Sequence, residues 1–303
     1  AEITYAYGYP IAGADESHFA EALQTAAGAD LVILTLGGKH GSGSVATMGE
    51  GVDATDINLP RCQDAFIRAA ANLHKPMIGI HFGGRPISSD AADECLDAIL
   101  EAWNPSEMGA EALKRVLTGE TAPSGRMPVT TARSAGQIPV YYNHPNGSSW
   151  HQGDSIGFQE YVDMPHRPRY YFGQGLSYTT FAYDGLRIDK EEVGPREKIT
   201  VSCQVTNTGS RAGTEVVQLY LRDEQACMVR PVQELVGFAR VALEPGESRQ
   251  VCFTFRPDRM AFLNREMRWL VEKGMIGVRI GASSEDIRLR GAFRIRESAI
   301  IQG

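Results

Sequence analysis

The chain has few cysteines, no long apolar run and no excess of basic charge, and each shortage removes a class of function. Its five cysteines (Cys62, Cys95, Cys203, Cys227 and Cys252) form no CxxC pair and are odd in number, which speaks against a zinc knuckle and against a complete disulfide framework. They read as free thiols of a reducing, cytoplasmic setting, with secretion left open. No apolar stretch approaches the roughly 20 residues of a membrane helix, and the opening AEITYAYGYP has no basic segment followed by an apolar one; no membrane partner is expected. With 30 Lys plus Arg against 37 Asp plus Glu, the formal net charge is −7. Clustered cations that displace counterions from a phosphate backbone are therefore missing, and no nucleic-acid partner is expected. His18, His74, His81, His144, His151 and His166 are dispersed without ligand spacing, so no metal and no cofactor is expected. GGKHGSG is glycine-rich but lacks both the Lys-Ser/Thr ending of a P-loop and the dinucleotide fingerprint.

What the chain does have is material for two cores. A single core rarely grows past about 250 to 300 residues, and 303 residues with 43% hydrophobic and 22% charged side chains suit two globular domains. Residues 1–133 alternate helical and strand-like segments. HFAEALQTAAGA (18–29) has helical apolar spacing, and ADLVILTLGG (29–38) reads as a buried strand closed by glycines. LPRCQDAFIRAAANLH (59–74), with Pro60 suited to the first helical turn, leads into a second such strand, KPMIGIHFGG (75–84). DAILEAW (97–103) predicts a short third strand, followed by a helix over SEMGAEALKRVLTGE with Ser106 as its N-cap. Repeated units of this kind predict an α/β domain on a mostly parallel sheet.

Residues 134–182 are rich in Tyr, Pro, Gly, His and Ser without a period, which predicts an ordered connecting segment lying over other surfaces. From 183 to 303 the period becomes two: KITVSCQVTNTGS, GTEVVQLYLRDE, ELVGFARVALEPG, SRQVCFTFRP and GMIGVRIGASS, separated by turn residues. This all-β part predicts an antiparallel sandwich of immunoglobulin-like type.

A parallel α/β sheet binds ligands beyond the carboxyl ends of its strands. The connection after the 29–38 strand, GGKHGSGSVATMGEGVDATDIN, is the place to look, because about twenty residues stand where two to six are usual. It offers three carboxylates, Glu50, Asp53 and Asp56, together with Lys39, His40, Ser42 and Met48. The plain alternative for the polar ones is a solvated loop, and for Met48, packing under it.

Several segments then resemble, in order, those of family 3 glycoside hydrolases. They are MGEGVDATDINLPRCQ (48–63), AILEAWNPSEMGAEALKRVLTGETAPSGRMPVT (98–130), YVDMPHRPRYYFGQGLSYTTFAY (161–183), NTGSRAGTEVVQLYLRD (207–223) and ELVGFARVALEPGES (234–248). The resemblance implies part of an α/β sandwich domain over 1–133 and a fibronectin type III-like β-sandwich over 183–303. It also implies a partner that the sequence does not show: a barrel domain bearing an aspartate nucleophile, on a separate chain or a missing segment. A homo-oligomer is compatible with it. The expected substrate is a β-glycoside, a β-glucoside above all, and the chain by itself is expected to be inactive.

A retaining glycosidase needs two carboxyl groups about 5 to 5.5 Å apart, one attacking the anomeric carbon and the other protonating the leaving oxygen and then activating water. The resemblance places Glu50, in its Gly-Glu-Gly setting, in the second role. Flanking glycines let the backbone present its carboxylate. Asp53 and Asp56 are the nearest competitors, although Ala54 follows the first of them where the family has Arg. Lys39, His40 and Met48 are candidate substrate contacts. The aromatics Tyr141, Tyr142, Trp150, Phe158, Tyr161, Tyr170, Tyr171 and Phe172 read as a sugar-stacking wall or, more simply, as packing. The rival reading is a non-catalytic carbohydrate-binding or scaffold module.

Overall fold

The computed structural model describes residues 2–41, 46–148, 150 and 160–301; Ser42, His151 and Phe158 lie outside the described residues. It divides into two compact units, Ala1–Arg115 with Thr131–Ile138, and Val116–Thr130 with Pro139–Gly303. Among the described residues no helix is long and apolar enough to cross a membrane.

The first unit follows its apolar spacing. α1 (Phe19–Ala27) turns Ala22 and Ala26 inward, and α2 (Arg61–Ala71) buries Cys62, Phe66, Ile67 and Ala70 on one face. Pro60 stands just ahead of α2 as its N-cap, with its carbonyl accepting from the Gln63 and Asp64 amides. β1 (Val32–Gly37), β2 (Met77–Phe82) and β3 (Ala98–Trp103) pair in that order, all parallel. A six-residue helix that the apolar pattern does not reveal, α3 (Asp90–Cys95), precedes β3; the Ser89 hydroxyl caps it by accepting from the Ala92 amide. α4 (Gly109–Leu117) follows β3. Ser106 is not its cap: it has a left-handed backbone (φ 52°), whereas a capping residue is extended, and its carbonyl, not its hydroxyl, meets the Gly109 amide.

The end of β1 is fixed from two sides. Gly37 has φ 113°, and a Cβ there would fall 1.9 Å from the Phe82 carbonyl oxygen, so only glycine lets β1 and β2 close up at their ends. The buried Gln63 side chain on α2 donates to the Gly37 carbonyl (2.7 Å) and accepts from the Gly37 amide (2.8 Å). That satisfies a backbone pair which would otherwise be stranded at the sheet edge.

The second unit is a β-sandwich. β4 (Phe181–Ile188), β6 (Ile199–Asn207) and β9 (Ser248–Phe255) form one antiparallel sheet. The other has five strands, β5 (Glu192–Val193), β13 (Ile287–Ile295), β12 (Gly274–Gly281), β7 (Gly213–Asp223) and β8 (Glu234–Leu243), in that order. A small third sheet joins β10 (Phe262–Leu263), β11 (Trp269–Val271) and β14 (Ala299–Ile300). Alternate residues meet in the core: Ile199, Val201, Cys203 and Val205 from β6, with Val217, Leu219, Leu221, Val278, Ile280 and Phe293 from the five-stranded sheet. Each fully buried aliphatic side chain of this kind contributes about 1.5–3 kcal/mol.

Part of the far face of the five-stranded sheet, around Gln218 and Tyr220, is covered by the described part of the irregular segment. Tyr142 stacks on Phe172 (4.2 Å between centroids) and meets Tyr220 edge-on. Gln218 donates to the Gly173 carbonyl, Ser284 donates from its amide to the Phe172 carbonyl, and Tyr220 is wholly buried. Arg126, in PSGRMPVT, enters the same unit through a buried ion pair with Glu215 at 2.5 Å.

Candidate active site

The connection between β1 and α2 is built around one thioether. Its two arms lie side by side: the Lys39 carbonyl accepts from the Thr47 and Met48 amides, and the Gly41 amide donates to the Met48 carbonyl (3.0 Å). The Thr47 hydroxyl accepts from the Lys39 amide at 2.8 Å. Met48 turns inward, 8% exposed, and its sulfur accepts from the Gly84 amide at 2.9 Å. Its methyl group rests against Gly38 and Gly83, the residues that follow β1 and β2. Packing under the loop thus accounts for Met48, and it offers little surface to a ligand in this unit.

Glu50 stands two residues further on, at the corner of a turn. The Val52 amide donates to the Gly49 carbonyl (3.2 Å), and Gly51 has φ 69°, the arrangement of a type II turn, whose third position requires a positive φ. Gly49 has φ 138° and lies so close to Gly41 that a Cβ would sit 2.1 Å from the Gly41 carbonyl oxygen. The far side is held by Arg85, whose guanidinium donates to the Val52 carbonyl at 2.6 Å. The carboxylate of Glu50 is therefore exposed on a turn whose backbone is pinned on both sides. Lys39 and His40 are exposed on the neighbouring arm, and a Cβ on Gly84 would lie 3.4 Å from the His40 ring and 3.8 Å from the Asn104 amide nitrogen.

Asp56 is suited to a different task. Its carboxylate accepts from the Asn58 amide (3.0 Å) and the Asn58 side chain (2.7 Å), which hold it below the usual aspartate range. A group kept ionised in this way is a poor proton donor. Asp53 is exposed and makes no such turn.

Beneath the loop lies a pair that sequence reasoning missed. Glu101, near the end of β3, has one oxygen 2.8 Å from His81 Nδ1 on β2 and 3.4 Å from the Trp103 amide; its other oxygen accepts from the Ile87 amide at 2.8 Å. His81 is buried and Glu101 largely shielded, with side chains 5% and 11% exposed. Trp103 itself has a left-handed backbone (φ 53°), uncommon for so large a residue. The signal available was the cross-strand match of a His and a Glu in adjacent parallel strands, which needs the register to be known. Among the described residues no three His, Cys, Asp or Glu side chains gather as a metal site.

The sequence matches the model of the glycosyl hydrolase family 3 C-terminal domain over residues 3–178. The chain belongs to glycoside hydrolase family 3. A fibronectin type III-like model matches 215–284, inside the β-sandwich. Among relatives, a periplasmic beta-glucosidase of Salmonella typhimurium is 36% identical over 91% of this chain, and a beta-xylosidase of Formosa agariphila is 35% identical over 94%. A beta-glucosidase from Listeria innocua, solved in complex with glucose, superimposes with a TM-score of 0.84 at 30% identity over 95% of the chain. The chain spans 35%, 38% and 39% of the length of these three family 3 proteins.

Proposed function

We propose that this chain is part of a retaining β-glycosidase and that Glu50 is its general acid/base. The nucleophilic aspartate then comes from a barrel outside these 303 residues. Relatives named for β-glucosides and β-xylosides support a substrate with one of these sugars at its nonreducing end. The observation that carries the reading is the turn at Gly49–Val52: two glycines with positive φ and an Arg85 clamp hold one exposed carboxylate just past the carboxyl edge of a parallel sheet. That edge is where such sheets bind ligands.

In the reaction Glu50 gives its proton to the departing glycosidic oxygen as the nucleophile attacks, and later takes a proton from the water that releases the sugar. A donor of this kind works when it carries a proton as the substrate arrives. Lys39 and His40, exposed on the adjacent arm, are the residues we assign to sugar hydroxyls.

The test is Glu50→Gln in the complete enzyme. Alkyl glycosides, whose leaving groups need protonation, should lose most of their rate, while aryl glycosides with acidic phenols keep most of the first step. Activity independent of Glu50 would favour a non-catalytic binding or scaffold role for this chain.

A further inference from the structure

We propose that the outer face of the five-stranded sheet carries a binding site for a phosphate-type dianion, held between Arg279 on β12 and Arg290 on β13. The two arginines are direct cross-strand partners in the antiparallel register. Like charges in that position repel, so a sheet that keeps them opposed carries a cost that a bound anion removes. Two other arginines of β13 are matched: Arg288 forks onto Asp286 (2.5 and 2.7 Å), and Arg294 faces Glu192 at 3.7 Å. Among the described residues neither Arg279 nor Arg290 has a carboxylate partner in ion-pair range.

Arg279 is also held ready. The side chain of Gln233, 1% exposed, accepts from its guanidinium at 3.0 Å and in turn donates to the Ser284 carbonyl at 2.7 Å. Burial first, then the charges of Arg222 and Arg290, pull the Arg279 guanidinium below its ordinary value, against the opposing charge of Glu224. On the adjoining strand Arg222 is offset by Glu224 at 3.2 Å. Two positive charges are left over, which favours a dianion over a carboxylate, and paired guanidinium forks match phosphate oxygens. The anion is inorganic phosphate or the phosphate ester of a sugar.

Thermal unfolding of the full chain tests this, with sodium phosphate against sodium chloride at matched ionic strength and glucose 6-phosphate against glucose. Phosphate should raise the midpoint by preferential binding to the folded state. Arg290→Gln should weaken phosphate binding about tenfold or more, as expected for a lost charge-assisted hydrogen bond. Without phosphate the same variant should be at least as stable as the parent, because it removes the repulsion, so loss of binding is not loss of fold. A larger effect of glucose 6-phosphate than of inorganic phosphate identifies the sugar ester as the ligand, and equal effects identify the free anion. Equal responses to phosphate and chloride, or a phosphate response unchanged in Arg290→Gln, would overturn the proposal.

Discussion

The Met48 sulfur accepts the Gly84 amide hydrogen, so the arm that leads to Glu50 is tied by a thioether to the residues just past β2. Met48→Leu keeps nearly the same volume and removes the acceptor of the Gly84 amide. The expected cost is about 1 kcal/mol. Hydrogen exchange should speed up at the Gly41 and Val52 amides of the loop while β2 stays protected.

The two glycines flanking Glu50 should respond unequally to alanine. At Gly49 the new Cβ would meet the Gly41 carbonyl oxygen at 2.1 Å, a backbone atom that cannot move aside alone. At Gly51 the space is open, and only the positive φ is strained. Gly51→Ala is therefore expected to cost about 1–2 kcal/mol. Gly49→Ala should cost more and should also reduce kcat of the complete enzyme, since it displaces the turn. Unfolding midpoints and kcat measured side by side on the two variants check this order.

Glu101→Ala removes the acceptor of the Ile87 amide and the partner of His81 in one change. Each buried donor left without a partner costs about 1–3 kcal/mol. Urea unfolding should show a lower midpoint at an unchanged slope; a midpoint within error of the parent would mean that the pair is not needed to hold the sheet edge.

Asp64 gives a pH dependence of definite sign. Burial raises its carboxyl above the ordinary value, against the opposing hydrogen bond from Ser89 at 2.7 Å. The folded state therefore binds the proton more tightly than the unfolded one, and the stability from this group is present below the unfolded value, near pH 4, and is lost as pH rises through the folded one. Asp64→Asn can still accept from Ser89. It should flatten this part of the stability profile and leave the protein as stable or more stable at neutral pH.

Much of this architecture was legible where the signal is local. The apolar runs ending in Gly37-Gly38 and Gly83-Gly84 gave β1 and β2, and the alternation in GTEVVQLYLRDE gave β7. α3 was not legible, because DAADEC is one short turn and a half with no apolar stripe and depends on the Ser89 cap. Ser106 misled because a serine ahead of a helix signals a cap only if its backbone is extended. The irregular aromatic segment could be read as ordered, but its seat on Gln218 and Tyr220 depends on long-range pairing. In the candidate site, Glu50 was visible through its glycines and its family resemblance. The inward turn of Met48 and the Glu101–His81 pair were not, since both depend on which strands become neighbours.

The central claim, that Glu50 is the acid/base, is tested most directly by azide rescue of Glu50→Ala in the complete enzyme. Loss of general acid–base catalysis should slow glycosides with poor leaving groups by about 100- to 10,000-fold. With an activated aryl glycoside the covalent intermediate still forms, and azide, which needs no general base, should attack it and restore turnover while a β-glycosyl azide accumulates. Equal slowing of every substrate, with no glycosyl azide formed, would contradict the assignment and turn attention to Asp53.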